Sequence, residues 1–130
     1  MNVIFTCGGT GGHINPAIAV ANLIRERHPD SKILFIGAKG HMEEQLVPKA
    51  GYELKCLKIS GMSREKTLNG IKKNLCNVSD TIRAVAQTKK IIREFQPDVI
   101  FGTGGYACFP ALMAGSSMKI PTAIHESNAI

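Results

Sequence analysis

At 130 residues, 44% of them hydrophobic, the chain has room for one domain with a real core and reads as an ordinary soluble globular protein. Its net charge of +6 favours anionic partners such as phosphates, nucleic acid or an acidic membrane surface, and equally fits a basic solvated face. Cys7, Cys56, Cys76 and Cys108 form no CxxC pair, no apolar run reaches the ~18 residues of a membrane span, and Met1-Asn2-Val3 lacks a signal peptide's charged start; these features exclude a disulfide framework and a zinc site, and point to reduced thiols in a cytoplasmic protein.

Val3-Ile4-Phe5 predicts a buried first strand, which runs into Gly8-Gly9-Thr10-Gly11-Gly12-His13. Ile14, Ala17, Ile18, Ala21 and Ile24 then recur at helical spacing, widened by Val20 and Leu23. Asn15-Pro16 suits a helix start, where proline is tolerated, and His28-Pro29-Asp30 ends the helix. Lys32–Gly37 is a buried-type second strand, and Glu43–Ala50 a short helix closed by Gly51. Tyr52–Ile59 reads as a third strand, with Leu54 and Cys56 alternating against Glu53 and Lys55.

Past the loop Ser60-Gly61-Met62-Ser63, a long helix is predicted from the spacing of Leu68, Ile71, Leu75, Val78, Ile82, Val85, Ile92 and Phe95. Its other faces carry Lys72, Lys73, Arg83, Lys89, Lys90 and Arg93, and Gln96-Pro97-Asp98 stops it. Val99-Ile100-Phe101 is a fourth strand entering a second glycine loop, Gly102-Thr103-Gly104-Gly105-Tyr106. A small-residue helix over Phe109–Ser116 and a fifth strand over Pro121–Ile124 follow, leading into His125-Glu126-Ser127-Asn128.

Strands alternating with helices imply an α/β fold, a doubly wound parallel sheet of Rossmann-like type, with expected strand order 3-2-1-4-5. In that order strands 1, 4 and 5 are neighbours. Both glycine loops and the His125 segment then share one carboxyl edge, where open α/β sheets bind ligands. The first loop is no dinucleotide fingerprint, because His13 or Ile14 stands where the third glycine belongs and Gly37-Ala38-Lys39 replaces the ribose-binding carboxylate. It is no P-loop either, since no Gly-Lys-Ser/Thr follows. Two glycine loops side by side suggest a pyrophosphate or sugar-phosphate site, fed by the free amides at a helix start. Both loops also read simply as tight turns. His13 can serve there as a general base, for which histidine's ordinary pKa near 6.5 is suited; it can also bind phosphate or brace the loop.

GGTGGH followed by Asn15-Pro16-Ala17, then Glu43, Leu46-Val47-Pro48, Ile59-Ser60-Gly61, Pro97-Asp98-Val99, GTGGY and HESN occur together here. In that order and spacing they resemble the MurG glycosyltransferases. That family adds N-acetylglucosamine to undecaprenyl-diphosphate-linked muramyl peptide in peptidoglycan synthesis, converting lipid I to lipid II. The resemblance covers essentially the whole chain. It implies a B-type glycosyltransferase of two doubly wound domains, inverting and independent of metal or other cofactor. Residues 1–130 would be the acceptor-side amino-terminal domain, without its last part and without the donor domain, and inactive alone.

By the same resemblance His13 is the candidate base, with His125 and Glu126 as a coupled pair that can equally be a loop-shaping hydrogen bond. Thr10, Gly11, Gly12 and Asn128 match donor contacts; Asn128 can also cap a turn. Gly9, His13, Gly104, Gly105, Tyr106 and His125 match the acceptor diphosphate side, with packing as the other reading of Tyr106. The implied partners are UDP-N-acetylglucosamine and the undecaprenyl-diphosphate muramyl peptide, met at the cytoplasmic face of the cell membrane. Lys72, Lys73 and Arg83 offer peripheral membrane contact, or form a solvated helix face. The alternative function is a non-catalytic lipid-diphosphate or membrane-binding module that needs a separate donor-binding partner. Nucleic-acid binding is disfavoured by the absence of tryptophan and the scarcity of aromatics.

Overall fold

The strands are the most apolar stretches of the chain, and β1 (Asn2–Cys7) is buried at every position from Val3 to Cys7. A strand with both faces buried belongs in the middle of a parallel sheet. The computed structural model describes residues 1–59, 68–105 and 107–125, with side chains of the long helix described from Val78 onward. Around β1 it arranges β2 (Lys32–Ala38), β3 (Glu53–Leu57), β4 (Val99–Gly104) and β5 (Thr122–Ile124) in one parallel sheet of order β3-β2-β1-β4-β5. This is the expected order. It puts the reversal of strand order between β1 and β4.

Alternation within the buried strands builds two cores. Val3, Phe5, Cys7 and Phe35 point to the layer of α1 (Gly11–Arg27) and α2 (Glu43–Lys49), meeting Ile14, Ala17, Ala21, Val47 and Tyr52. Ile4, Leu34, Ile36 and Ile100 point the other way, against Ala84, Ile91 and Ile92 of α3 (Leu68–Phe95) and Ala114 of α4 (Cys108–Ser117). In the first core Phe35 stacks on Phe5 at 5.1 Å between ring centroids, and meets Tyr52 on its other side at 5.2 Å.

Three local expectations need correction. Helix α1 begins at Gly11, so Pro16 lies in its second turn and not its first. The glycine loop sets that start, because Thr10 is the extended N-cap, and the proline removes one internal amide bond there. Leu23 is 45% exposed and does not widen the buried stripe. In α3, Val78 and Ile82 are 44% and 66% exposed. Of the predicted stripe, Ile92 is buried and Val85 and Phe95 pack against the core, and the docked face is completed by Ile91 and by the smaller Ala84 and Thr88, where α3 packs against α4. Thr88 is accommodated there because its hydroxyl donates to the Ala84 carbonyl at 2.7 Å. The sequence pattern counted large apolar residues alone, and so included Val78 and Ile82 and passed over Ala84 and Thr88.

Phe35 is fully buried and has an aromatic partner on each side. Phe35→Ala is therefore expected to cost about 3–5 kcal/mol in urea denaturation; a loss under about 1 kcal/mol would mean that the core closes over the gap.

Candidate functional site

At the carboxyl edge the two glycine loops meet backbone to backbone. The Gly8 amide donates to the Gly104 carbonyl at 3.1 Å. Gly104 and Gly105 adopt φ of +118° and +106°, a region that favours glycine. A methyl at Gly105 would strike the Gly8 backbone, and one at Gly104 would strike the His13 ring. The approach is made possible by a register shift: Thr6 pairs with Gly102 but Cys7 with Gly104, leaving Thr103 as the extra residue of a bulge. Thr103 turns this to use, its hydroxyl donating to the His13 carbonyl.

Cys108, at the start of α4, braces the same edge. Its thiol donates to the Thr6 carbonyl and its sulfur accepts the Gly104 amide, both at 3.1 Å. Burial pushes this thiol up, with the hydrogen bonds opposing. Cys108 is thus a structural tie between β1 and the second loop.

His13 lies in the first turn of α1, half-buried. Its Nδ1 is 3.1 Å from the Gly8 carbonyl and 3.5 Å from the Thr10 hydroxyl. A carbonyl only accepts, so this bond requires the proton on Nδ1 and leaves the Nε2 lone pair of the neutral ring for another proton. The helix start carries no acidic residue in its first turn and no side-chain cap. Its leading amides, on Gly11 and Gly12, are of the kind a helix leaves unpaired, and its dipole favours an anion. Gly8, Gly9, Thr10, His13, His41 and Gly105 line an open cavity of about 330 Å³.

The structure therefore brings Gly9, Thr10, His13 and Gly105 to one cavity, with Gly11 and Gly12 in the adjoining turn and Gly104 behind the His13 ring. His125 follows β5, its amide bonded to the Gly102 carbonyl at 2.8 Å and its side chain exposed; it does not line the cavity. Tyr106, Glu126 and Asn128 lie outside the described residues. Among the described residues no group of three or more His, Cys, Asp or Glu could hold a metal ion. Sequence reasoning gave no site role to His41, in the turn after β2, or to Glu43, the first residue of α2, which it used only as part of the resemblance. Neither belongs to a glycine loop, and only the fold brings them to this edge.

Comparison with known proteins bears on what the site serves. Residues 3–130 match the model of the glycosyltransferase family 28 N-terminal domain. The chain is 46% identical over 128 residues to a UDP-N-acetylglucosamine–N-acetylmuramyl-(pentapeptide) pyrophosphoryl-undecaprenol N-acetylglucosamine transferase of Alkaliphilus oremlandii, covering 98% of this chain and 34% of that protein. It is 43% identical over 129 residues to the enzyme of the same name from Clostridioides difficile, covering 99% of this chain and 31% of that protein. A crystal structure of MurG from Acinetobacter baumannii superposes with a TM-score of 0.82 at 27% identity, over 98% of this chain and 36% of that one. The chain thus spans about a third of the length of these relatives.

Cys7, fully buried at the end of β1, supplies a pH test of the edge. Burial first, then the charges of Glu43 and Cys108, push its thiol well above the ordinary 9.0. Unfolded, the thiol ionises near its ordinary value; folded, it stays protonated. Stability is therefore full below that value and falls by about 1.4 kcal/mol per pH unit above it. Cys7→Ala should lack this slope, so the difference between the two stability profiles should change by about 1.4 kcal/mol per pH unit above pH 9, whereas parallel profiles would mean that Cys7 ionises in the folded state.

Proposed function

Because the chain belongs to the glycosyltransferase family 28 N-terminal-domain family, we propose that it is the acceptor-side domain of an enzyme that transfers N-acetylglucosamine from UDP-N-acetylglucosamine to undecaprenyl-diphosphate-linked N-acetylmuramyl-pentapeptide. The fold is Rossmann-like, that of the amino-terminal half of a B-type glycosyltransferase. A second doubly wound domain, carboxy-terminal to this one, would deliver the nucleotide sugar across a cleft. The relatives' shared name supports the reaction. The observation that carries the site is the His13-bearing start of α1, pressed against a second glycine loop around one cavity.

In this reading the acceptor's diphosphate lies against Gly9, Gly104 and Gly105, where backbone groups and the α1 dipole meet negative charge. Thr10, Gly11 and Gly12 face the donor, joined by Asn128, while Tyr106 and His125 extend the acceptor side. His13 Nε2 takes the proton of the muramyl 4-hydroxyl as that oxygen attacks the anomeric carbon. The glycosidic bond forms with inversion, the bond to UDP breaks, and UDP leaves. Glu126 and His125 act as a coupled pair.

A lipid acceptor places the enzyme at the cytoplasmic face of the membrane as a peripheral protein. Val78 and Ile82 stand exposed beside exposed Arg83 on α3, offering an apolar and basic contact, and each basic residue near an anionic surface contributes about 1 kcal/mol. Lys72 and Lys73, named with Arg83 from the sequence, lie outside the residues whose side chains are described. Among the described residues no helix is long and apolar enough to cross a membrane.

The deciding variant is His13→Ala in the protein that joins this segment to its donor-side domain. Turnover should fall about 10²–10⁴-fold with donor binding little changed, and a chelator should leave the unmutated protein's turnover intact. Unchanged turnover in His13→Ala would assign the base elsewhere. Lipid-diphosphate binding with no transfer by the unmutated protein would instead favour the non-catalytic module.

A further inference from the structure

Glu43 is fully buried, and none of the roles assigned so far uses it. A buried carboxylate is costly unless its oxygens find donors. Glu43 finds two. Its Oε2 accepts the Ala38 amide at 2.8 Å and its Oε1 accepts the Gly9 amide at 3.2 Å. One side chain at the start of α2 thereby ties the end of β2 to the first glycine loop. The first loop and the end of β2 are both shaped around it, since a methyl on Gly8 or on Gly37 would overlap the Glu43 side chain.

The Gly9 N–H and the Gly8 C=O belong to the same peptide unit. That unit is trans, and a trans peptide is planar with its N–H and C=O directed to opposite edges. Glu43 therefore holds one edge of a plane whose other edge accepts the His13 Nδ1 proton. A carboxylate pulling on the N–H polarises the peptide and makes its carbonyl a stronger acceptor, because hydrogen bonds in series reinforce one another.

We propose that Glu43 is a positioning residue that acts on His13 through the Gly8–Gly9 peptide, a carboxylate–peptide–imidazole relay. The peptide stands where a side-chain carboxylate directly orients histidine in hydrolytic triads. The relay fixes the ring, selects the Nδ1–H tautomer and stabilises the ring when Nε2 gains a proton. No proton moves along it. Its catalytic consequence rests on the reading of His13 as the base; the effect on the ring does not.

The test is the imidazole ¹⁵N spectrum of His13, recorded for the unmutated protein, Glu43→Gln and Glu43→Asp at a pH where the ring is neutral. The unmutated ring should be mostly Nδ1–H, the reverse of free histidine. In Glu43→Gln a single oxygen must serve two amides, so the population should move toward Nε2–H. Transfer by the same variant joined to its donor domain should lose about tenfold in kcat with KM for the donor unchanged. Glu43→Asp keeps the charge and should retain more Nδ1–H than Gln. If Glu43→Gln does not fold, the comparison rests on Glu43→Asp, whose shortened side chain should still shift the ring measurably.

An unmutated ring in the Nε2–H form, or a folded variant with an unmoved tautomer, overturns the relay. Loss of turnover in His13→Ala together with an unmoved tautomer would keep the base and discard the relay. A shifted tautomer with an active His13→Ala would do the reverse.

Discussion

The close approach of two glycine loops at the point where strand order reverses is the constraint on which the rest of this edge depends. Gly105 can lie against the Gly8 backbone only without a side chain, and at Gly104 the His13 ring occupies what a side chain would fill. The Gly8 amide to Gly104 carbonyl bond then holds the loops in contact. A parallel sheet with both faces buried is stiff enough to hold such an approach. The aromatic stack of Phe5, Phe35 and Tyr52 lies beneath the first loop's own strand and its neighbour.

From that contact the chemistry of the edge follows by short steps. The bulge that admits the second loop frees Thr103 to hold the His13 carbonyl, while Cys108 holds the loop from the other side. His13 is then bound at its backbone by one loop and at its ring by the other. Glu43 fastens the outer margin of the same assembly to β2. The interior is protonated thiol and paired carboxylate, and the exterior offers amides, a helix dipole and one imidazole nitrogen. On the proposed reading that division is what lets a doubly negative diphosphate approach without meeting the buried negative charge directly.

The fold was legible because the information was local and redundant. Each buried strand is an apolar run bounded by glycine or proline, and the alternation of strand and helix leaves few arrangements for five parallel strands. The site was legible where residue type alone is diagnostic, in the glycine loops and His13. It was not legible at Glu43, since a glutamate opening a helix is ordinary and nothing in one dimension shows that Gly8 and Gly37 make room for it. The docked face of α3 was misread in part, at Val78 and Ile82, for a related reason. Periodicity finds an apolar stripe, but which stripe is covered depends on the partner helix, and small Ala84 and Thr88 won over large Val78 and Ile82. Pro16 was placed too early because the glycine loop, not the proline, starts α1.

The central claim is that the paired glycine loops hold the diphosphate of a lipid-linked acceptor. It is tested most directly by following the backbone amides of this chain by NMR while titrating a short-chain, water-soluble polyprenyl-diphosphate muramyl peptide, with the undiphosphorylated muramyl peptide as control. The account predicts saturable shifts at Gly9, His13, Gly104 and Gly105 that the control does not produce. Shifts confined to the exposed side of α3, or equal shifts with the control, would contradict it.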